Sequence, residues 1–338
     1  MTSDIDNKAT SGAASGGEVA GFWRRTVAFG IDCLVLGLIG STLAFLFFDQ
    51  LAKIGLWGRL IGFLIGVGYF GFMEGFAGRC QSLGKRVLKI KVVRRDANGV
   101  RALTFAQASA RYAVIAIPLV LGGIGFVDLP VLNSLTMAWL STANRLVVFL
   151  WSTASLYLLA FNRPCRQSLH DLAVSSLVIR DSASEARVTP VRTLHWVVLG
   201  AVAGLVIIVS PFLNRYVASK LTDMYAIQRA TLSIPGVRQC SITANSSWHV
   251  GTGDKARRTA MIAVVTNAPV LLTERGMLEI AKAAFAASPI LASQDAVTIV
   301  SARAVDLGIA TWRTQYAESF PGSEWVAKIG SGAPRTVQ

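Results

Sequence analysis

Two carboxylates stand inside apolar runs of this chain: Asp32, within Thr26 to Phe48, and Glu74, at the end of Leu60 to Phe76. A carboxylate deep in a bilayer costs roughly 2.5–3.5 kcal/mol on insertion scales, so each must face water or a partner. Either chemistry is open: handling a proton or cation, or fixing helix packing through one buried pair. Arg25 lies seven residues before Asp32, two helical turns away on the same face, and is the nearest counter-charge. Arg145, in a later apolar run, could instead reach Asp32 or snorkel to the interface.

The next constellation is a theme written twice. Gln81-Ser82-Leu83 continues into Gly84-Lys85-Arg86, and Gln167-Ser168-Leu169 continues into His170-Asp171. Each copy follows an apolar run, and each leads to a β-like stretch ending in Arg-Asp, Ile90 to Asp96 and Leu177 to Asp181. Opposite charges after the shared Leu predict that the copies lie side by side, with Asp171 pairing with Lys85 or Arg86. A phosphate-cradling loop is rejected on spacing: Gly78 and Gly84 are six apart, and Arg86 stands where that motif needs a hydroxyl. The basic side chains Lys89, Lys91, Arg94 and Arg95 suit anionic lipid head groups, at about 1 kcal/mol each near a membrane surface.

The elements that must position these residues are membrane helices. Hydrophobic residues make up 53% of the 338 and charged residues 15%, a balance soluble domains rarely reach. The net charge of +14 is carried between the apolar runs, which argues against nucleic acid as a partner. Residues 79 to 111 hold nine Lys or Arg against one acid, the pattern of a cytoplasmic loop. The reading is an α-helical polytopic membrane protein of about five transmembrane helices with a C-terminal α+β soluble domain. Residues 1–20 are a disordered tail, and 21–182 form the first membrane domain with spans 26–48, 60–76, 112–129 and 139–161. A fifth helix covers 194–213, an α+β domain 220–320, and a flexible tail 321–338. Gly62 and Gly66 offer a face where another helix can approach closely.

From Phe22 to Arg180 the chain resembles the RDD family of bacterial membrane proteins, named for one arginine and two aspartates. The resemblance rests on Trp23-Arg24-Arg25 with Asp32, the acidic end of the second span, Gly84-Lys85-Arg86, and Leu169-His170-Asp171. It implies that Arg25 takes the arginine position and Asp32 and Asp171 those of the aspartates. It also implies a multi-pass protein of the bacterial inner membrane, with cation/proton exchange among the functions suggested for the family. The C-terminal part departs from short family members.

Two functions follow as expectations. One is movement of an ion or small solute, with Asp32 and Glu74 handling charge and Arg25 as counter-charge. The other is a non-transporting anchor, for assembly or sensing, that presents an extracytoplasmic domain and a basic cytoplasmic surface. An odd number of spans with the N-terminus inside places the C-terminal domain outside. Cysteines 33, 80, 165 and 240 lie far apart without metal spacing, so no cofactor, metal or enzymatic activity is expected. Cys240 and His249, nine apart, make the one weak exception. A protein partner, or a second copy, would meet the C-terminal domain.

Overall fold

The computed structural model describes residues 19–76, 80–96, 99–122, 134–183, 189–247 and 257–331. The tail expected over residues 1–20 therefore falls, up to residue 18, outside the described residues, as do 123–133 and His249. Two compact units are present: residues up to 36 with 63–121 and 144–202, and residues 37–62, 122–143 and 203–338.

Among the described residues, four helices are long and apolar enough to cross a membrane. They are α1 (Phe22–Leu46), the run Phe48–Gly75, Trp139–Phe161 within α6 (Ser134–Phe161), and Thr193–Leu213 within α8 (Thr193–Lys220). The second run is composite: α2 (Phe48–Ile54), a 3-10 turn (Gly55–Trp57), α3 (Gly58–Phe70), and a π turn over Gly71–Phe76. A fifth apolar helix, α5 (Phe105–Leu121), is shorter, with Pro118 inside it. Thr104 starts it: its Oγ1 accepts from the Gln107 amide (3.2 Å), while Gln107 Oε1 accepts from the Thr104 amide (3.1 Å). This reciprocal capping sets the start of α5, and the helix runs on without a break through 112, where the span was expected to begin.

In the first unit, two short helices and three strands follow the membrane helices. They are α4 (Leu83–Val87), β1 (Ile90–Asp96), β2 (Gly99–Ala102), α7 (Leu169–Ala173) and β3 (Ser176–Arg180). The sheet order is β2-β1-β3, all antiparallel. The two copies of the Gln-Ser-Leu theme thus meet: Ile90 faces Arg180 and Val92 faces Val178. Buried Ile90, Val92, Leu103, Ala108 and Val178 pack with Ala20 and Ala28 of the chain's N-terminal stretch.

The second unit holds the soluble domain. It contains α9 (Thr222–Leu232), β4 (Val237–Ser247), β5 (Arg257–Thr266), α10 (Glu274–Ala287), β6 (Ala296–Asp306), β7 (Thr311–Phe320) and α11 (Gly322–Ser331). The sheet runs β4-β5-β6-β7, with β5 and β6 parallel around the α10 crossover. Thr273 caps α10 by accepting from the Gly276 amide at 3.3 Å. The flexible tail expected from 321 is corrected over Gly322–Ser331. There Trp325 is fully buried, its Nε1 donates to the Val297 carbonyl (2.9 Å), and its ring meets Phe320 edge-on. One buried indole of this size anchors a ten-residue helix that sequence polarity alone does not announce.

In the same unit, the β6–β7 turn packs against residues 37–62. Val305, Leu307 and Ile309 join Ala44, Leu51, Ala52 and Ile61 in one apolar cluster. Arg59 grips Asp306 through Nε (3.0 Å) and Nη2 (2.8 Å), and Arg303 pairs with Asp49 at 2.9 Å. A Cβ on Gly62 would collide with the Leu307 carbonyl oxygen, and one on Gly66 with the Tyr112 hydroxyl. The Gly62–Gly66 face therefore serves two different neighbours, a strand turn and the α5 tyrosine, rather than one crossing helix.

Candidate functional site

The π turn Gly71–Phe76 carries Glu74, which is 1% exposed. A π turn is wider than an α turn by one residue, and here it brings the carboxylate among cations supplied by α4 and α5. Lys85 Nζ pairs with Glu74 Oε1, and Arg111 Nη1 donates to Glu74 Oε2 at 3.0 Å. The other edge of the same guanidinium reaches Asp171: Nε and Nη2 donate to Oδ1 at 3.0 and 2.9 Å. Arg25 takes the second oxygen of Asp171 through Nη2 and gives Nη1 to the Arg166 carbonyl.

Asp32 is fully buried but does not meet Arg25. Its Oδ1 accepts from the Gly84 amide (2.8 Å) and the Tyr69 hydroxyl (2.8 Å), and its Oδ2 from Ser82 Oγ (2.5 Å). The expected Arg25–Asp32 pair is thereby corrected, because Arg25 is taken by Asp171. The expected pairing of Asp171 with Lys85 or Arg86 is corrected as well: Lys85 goes to Glu74, and Arg86 is exposed. Gly84 has a definite use. A side chain there would run into the Ala28 carbonyl, so only glycine lets α4 press against α1 and offer its amide to Asp32.

These contacts join into a chain of alternating sign: Asp32, then Lys85 through Ser82 (Lys85 Nζ to Oγ, 3.3 Å), Glu74, Arg111, Asp171, Arg25. Three anions face three cations, so the buried cluster is neutral. Burial alone would raise the Asp171 carboxyl, but neighbouring Arg25 and Arg111 hold it well below the usual carboxylate range. Burial drives His170 down to about 3, and Arg111, Arg25 and Lys85 add to this against the pull of Asp171. The imidazole is therefore neutral at physiological pH. Its 3.6 Å approach to Asp171 is no ion pair, and the arginines alone do the holding there.

The two copies share local features at a fixed offset of 86 residues. Cys80 and Arg166 both take positive φ (65° and 49°), as do Lys89 and Ser175 (52° and 53°). Gln81 Nε2 donates to the Ile90 carbonyl (3.1 Å), and Gln167 Nε2 to the Ser176 carbonyl (2.8 Å). In the strand register Val92 faces Val178, its own counterpart at that offset. The same offset carries Arg25 to Arg111. Sequence reasoning counts Arg111 only among the nine basic residues of 79–111; the 86-residue spacing was the signal that could have singled it out. Tyr69 and Ser82 were missed because only the fold brings them to Asp32.

Of the basic residues expected to face lipid, Lys89 and Arg94 are exposed. Lys91 Nζ is tied to the Asp181 carbonyl at 2.8 Å, and the side chain of Arg95 lies outside the described residues. Among the described residues no group of three His, Cys, Asp or Glu could hold a metal ion. Neither a curated protein nor a solved structure matches the chain. A family model does: that of the RDD family, over residues 19–175.

Proposed function

We propose, for a chain whose residues 19–175 match the RDD family model, that it is a non-enzymatic membrane scaffold that holds its C-terminal domain on the far side of the membrane for assembly or sensing. The observation that carries this reading is the saturation of the buried carboxylates. Asp32 has three donors, while Glu74 and Asp171 each hold two cations. Taking up a further cation would first require breaking one of these buried pairs. Such a cluster locks helices together better than it cycles charge. Transport through Asp32 and Glu74 is the reading this geometry disfavours.

The side of the soluble domain is argued from connectivity. With the N-terminus in the cytoplasm, α1 carries residues 47–57 to the other face. Asp49 and Arg59 pair there with Arg303 and Asp306, so β6 shares that side. An even number of crossings must then separate residue 57 from residue 222, which α3, α5, α6 and α8 supply. The bacterial inner membrane is the setting that the positive loop 79–111 fits. Cys240 is buried, so labelling needs an introduced thiol. Gln315→Cys, on exposed β7, should react with a charged maleimide on intact cells, and Ala102→Cys only after lysis. The reverse pattern would overturn the topology. Proton- or sodium-driven flux in proteoliposomes, lost in Glu74→Gln, would overturn the scaffold reading.

A further inference from the structure

Arg24, Arg163, Arg166 and Arg180 come from three separate elements: the first turn of α1, the turn after α6, and the end of β3. They line one open groove of about 520 Å³, together with Gly21, Phe22, Trp23, Ala160 and Phe161. None of the four guanidiniums has a carboxylate partner among the described residues. The buried acid Asp171 is held by Arg25 and Arg111. Arg166 is already engaged through its backbone, which accepts from Arg25, and its Nη1 donates to the Ala160 carbonyl at 3.1 Å. That leaves the rest of its guanidinium for the groove. Partial burial and the nearby charges of Arg163 and Arg25 push Arg166 down from its usual value, the mark of positive charge in want of an anion.

The surroundings say what kind of anion. Trp23 (75% exposed) and Phe161 (62% exposed) stand at the ends of two membrane helices, where amphipathic and aromatic rings sit at head-group level. The groove is therefore at the depth of lipid phosphates. Exposed Val27 and Leu34 continue along α1, and Leu156 along α6, as apolar surface for acyl chains. Planar guanidiniums match phosphate oxygens bidentately, which ammonium groups do not. We infer that this groove is a binding site for the phosphodiester head group of an anionic phospholipid, at the junction of α1 and α6. The inference goes beyond the scaffold reading without depending on it.

The test uses the full chain in vesicles of phosphatidylcholine alone or mixed with phosphatidylglycerol, with retained lipid read by native mass spectrometry. Arg24→Gln/Arg163→Gln/Arg180→Gln should lower the preference for the anionic lipid about tenfold or more, as three basic side chains near a membrane surface should. The triple Lys variant should keep part of it. Arg94→Gln, at the opposite end of the β1–β3 pairing from Arg180, should leave it unchanged. Equal losses in the groove and strand variants would mean diffuse surface charge and would overturn the site. Full retention in the groove variant would do the same. Displacement of the lipid by inorganic phosphate or glycerol phosphate would show a site for free phosphate and overturn the lipid assignment. All variants leave the buried cluster intact, so parental elution and melting are expected to accompany each result.

Discussion

Replacing Arg111 with methionine removes one side chain that closes two ion pairs. Its three donors reach Glu74 at 3.0 Å and Asp171 at 3.0 and 2.9 Å, all in a fully enclosed setting. The cluster would fall from three cations against three carboxylates to two against three. Leaving one buried charge uncompensated costs about 3–5 kcal/mol. Adding Glu74→Gln restores the balance at two against two. The double variant should therefore be less destabilised than the sum of the single changes, by a coupling of about 0.5–3 kcal/mol. Arg111→Lys keeps the charge but cannot fork to both acids, so it should fall between parent and Arg111→Met. The assay is denaturant titration of the purified protein in one detergent, with size-exclusion profiles confirming a folded start. An Arg111→Met variant within about 1 kcal/mol of the parent, or single changes that add within about 0.5 kcal/mol, would refute the claim that charge balance holds these helices.

Other outcomes follow from the same contacts. Gly84→Ala should destabilise by at least about 1–3 kcal/mol, because backbone opposes the new methyl and the amide bond to Asp32 is lost; a fully stable variant in the same titration would contradict the close approach. Gly62→Leu should displace the β6–β7 turn without unfolding the strands, read as new protease cleavage near residues 307–310; unchanged digestion would count against that docking. Trp325→Ala should cost about 3–5 kcal/mol in the soluble domain, seen as a lowered melting transition. Burial of neutral His170 makes stability fall with acid: between its ordinary 6.5 and about 3 the unfolded chain binds a proton that the folded chain refuses. At about 1.36 kcal/mol per pH unit the loss across that window approaches about 5 kcal/mol. His170→Gln should flatten the pH profile there. The Asp171 contribution runs lower still, present above the ordinary carboxylate range and lost only as pH falls through its depressed value.

Much of the membrane part was legible because lipid leaves few options. Apolar length announced α1, α3 and α8, and the recurrence of Gln-Ser-Leu announced that β1 and β3 would pair. Charge partners were not legible. Arg25 and Asp32 share a helix face, yet Arg25 points to Asp171, 146 residues away. Local periodicity ranks neighbours on one helix, whereas a buried ion takes whichever partner the tertiary packing brings. Gly62 shows the same gap: its spacing to Gly66 signalled close packing but not the identity of the occupant. In the soluble domain Thr273 marked the start of α10 through its own hydrogen bond. By contrast α11 is held by tertiary contacts, Trp325 with Val297 and Phe320 among them, which no local pattern encodes.

The turn built twice has a consequence for ancestry. Val92 faces its own counterpart, so the two halves relate as subunits of a two-fold dimer would. In a true dimer of identical chains, Lys85 and Asp171 could not differ, since both places would carry one residue type, and like charge would gather at the axis. Opposite signs at equivalent places are open only to a fused pair, whose halves mutate separately. The salt-bridged cluster thus requires both copies within one chain, with a base at one of the equivalent places and an acid at the other. A half-length relative with a single Gln-Ser-Leu turn would have to assemble in pairs and neutralise its buried charges some other way.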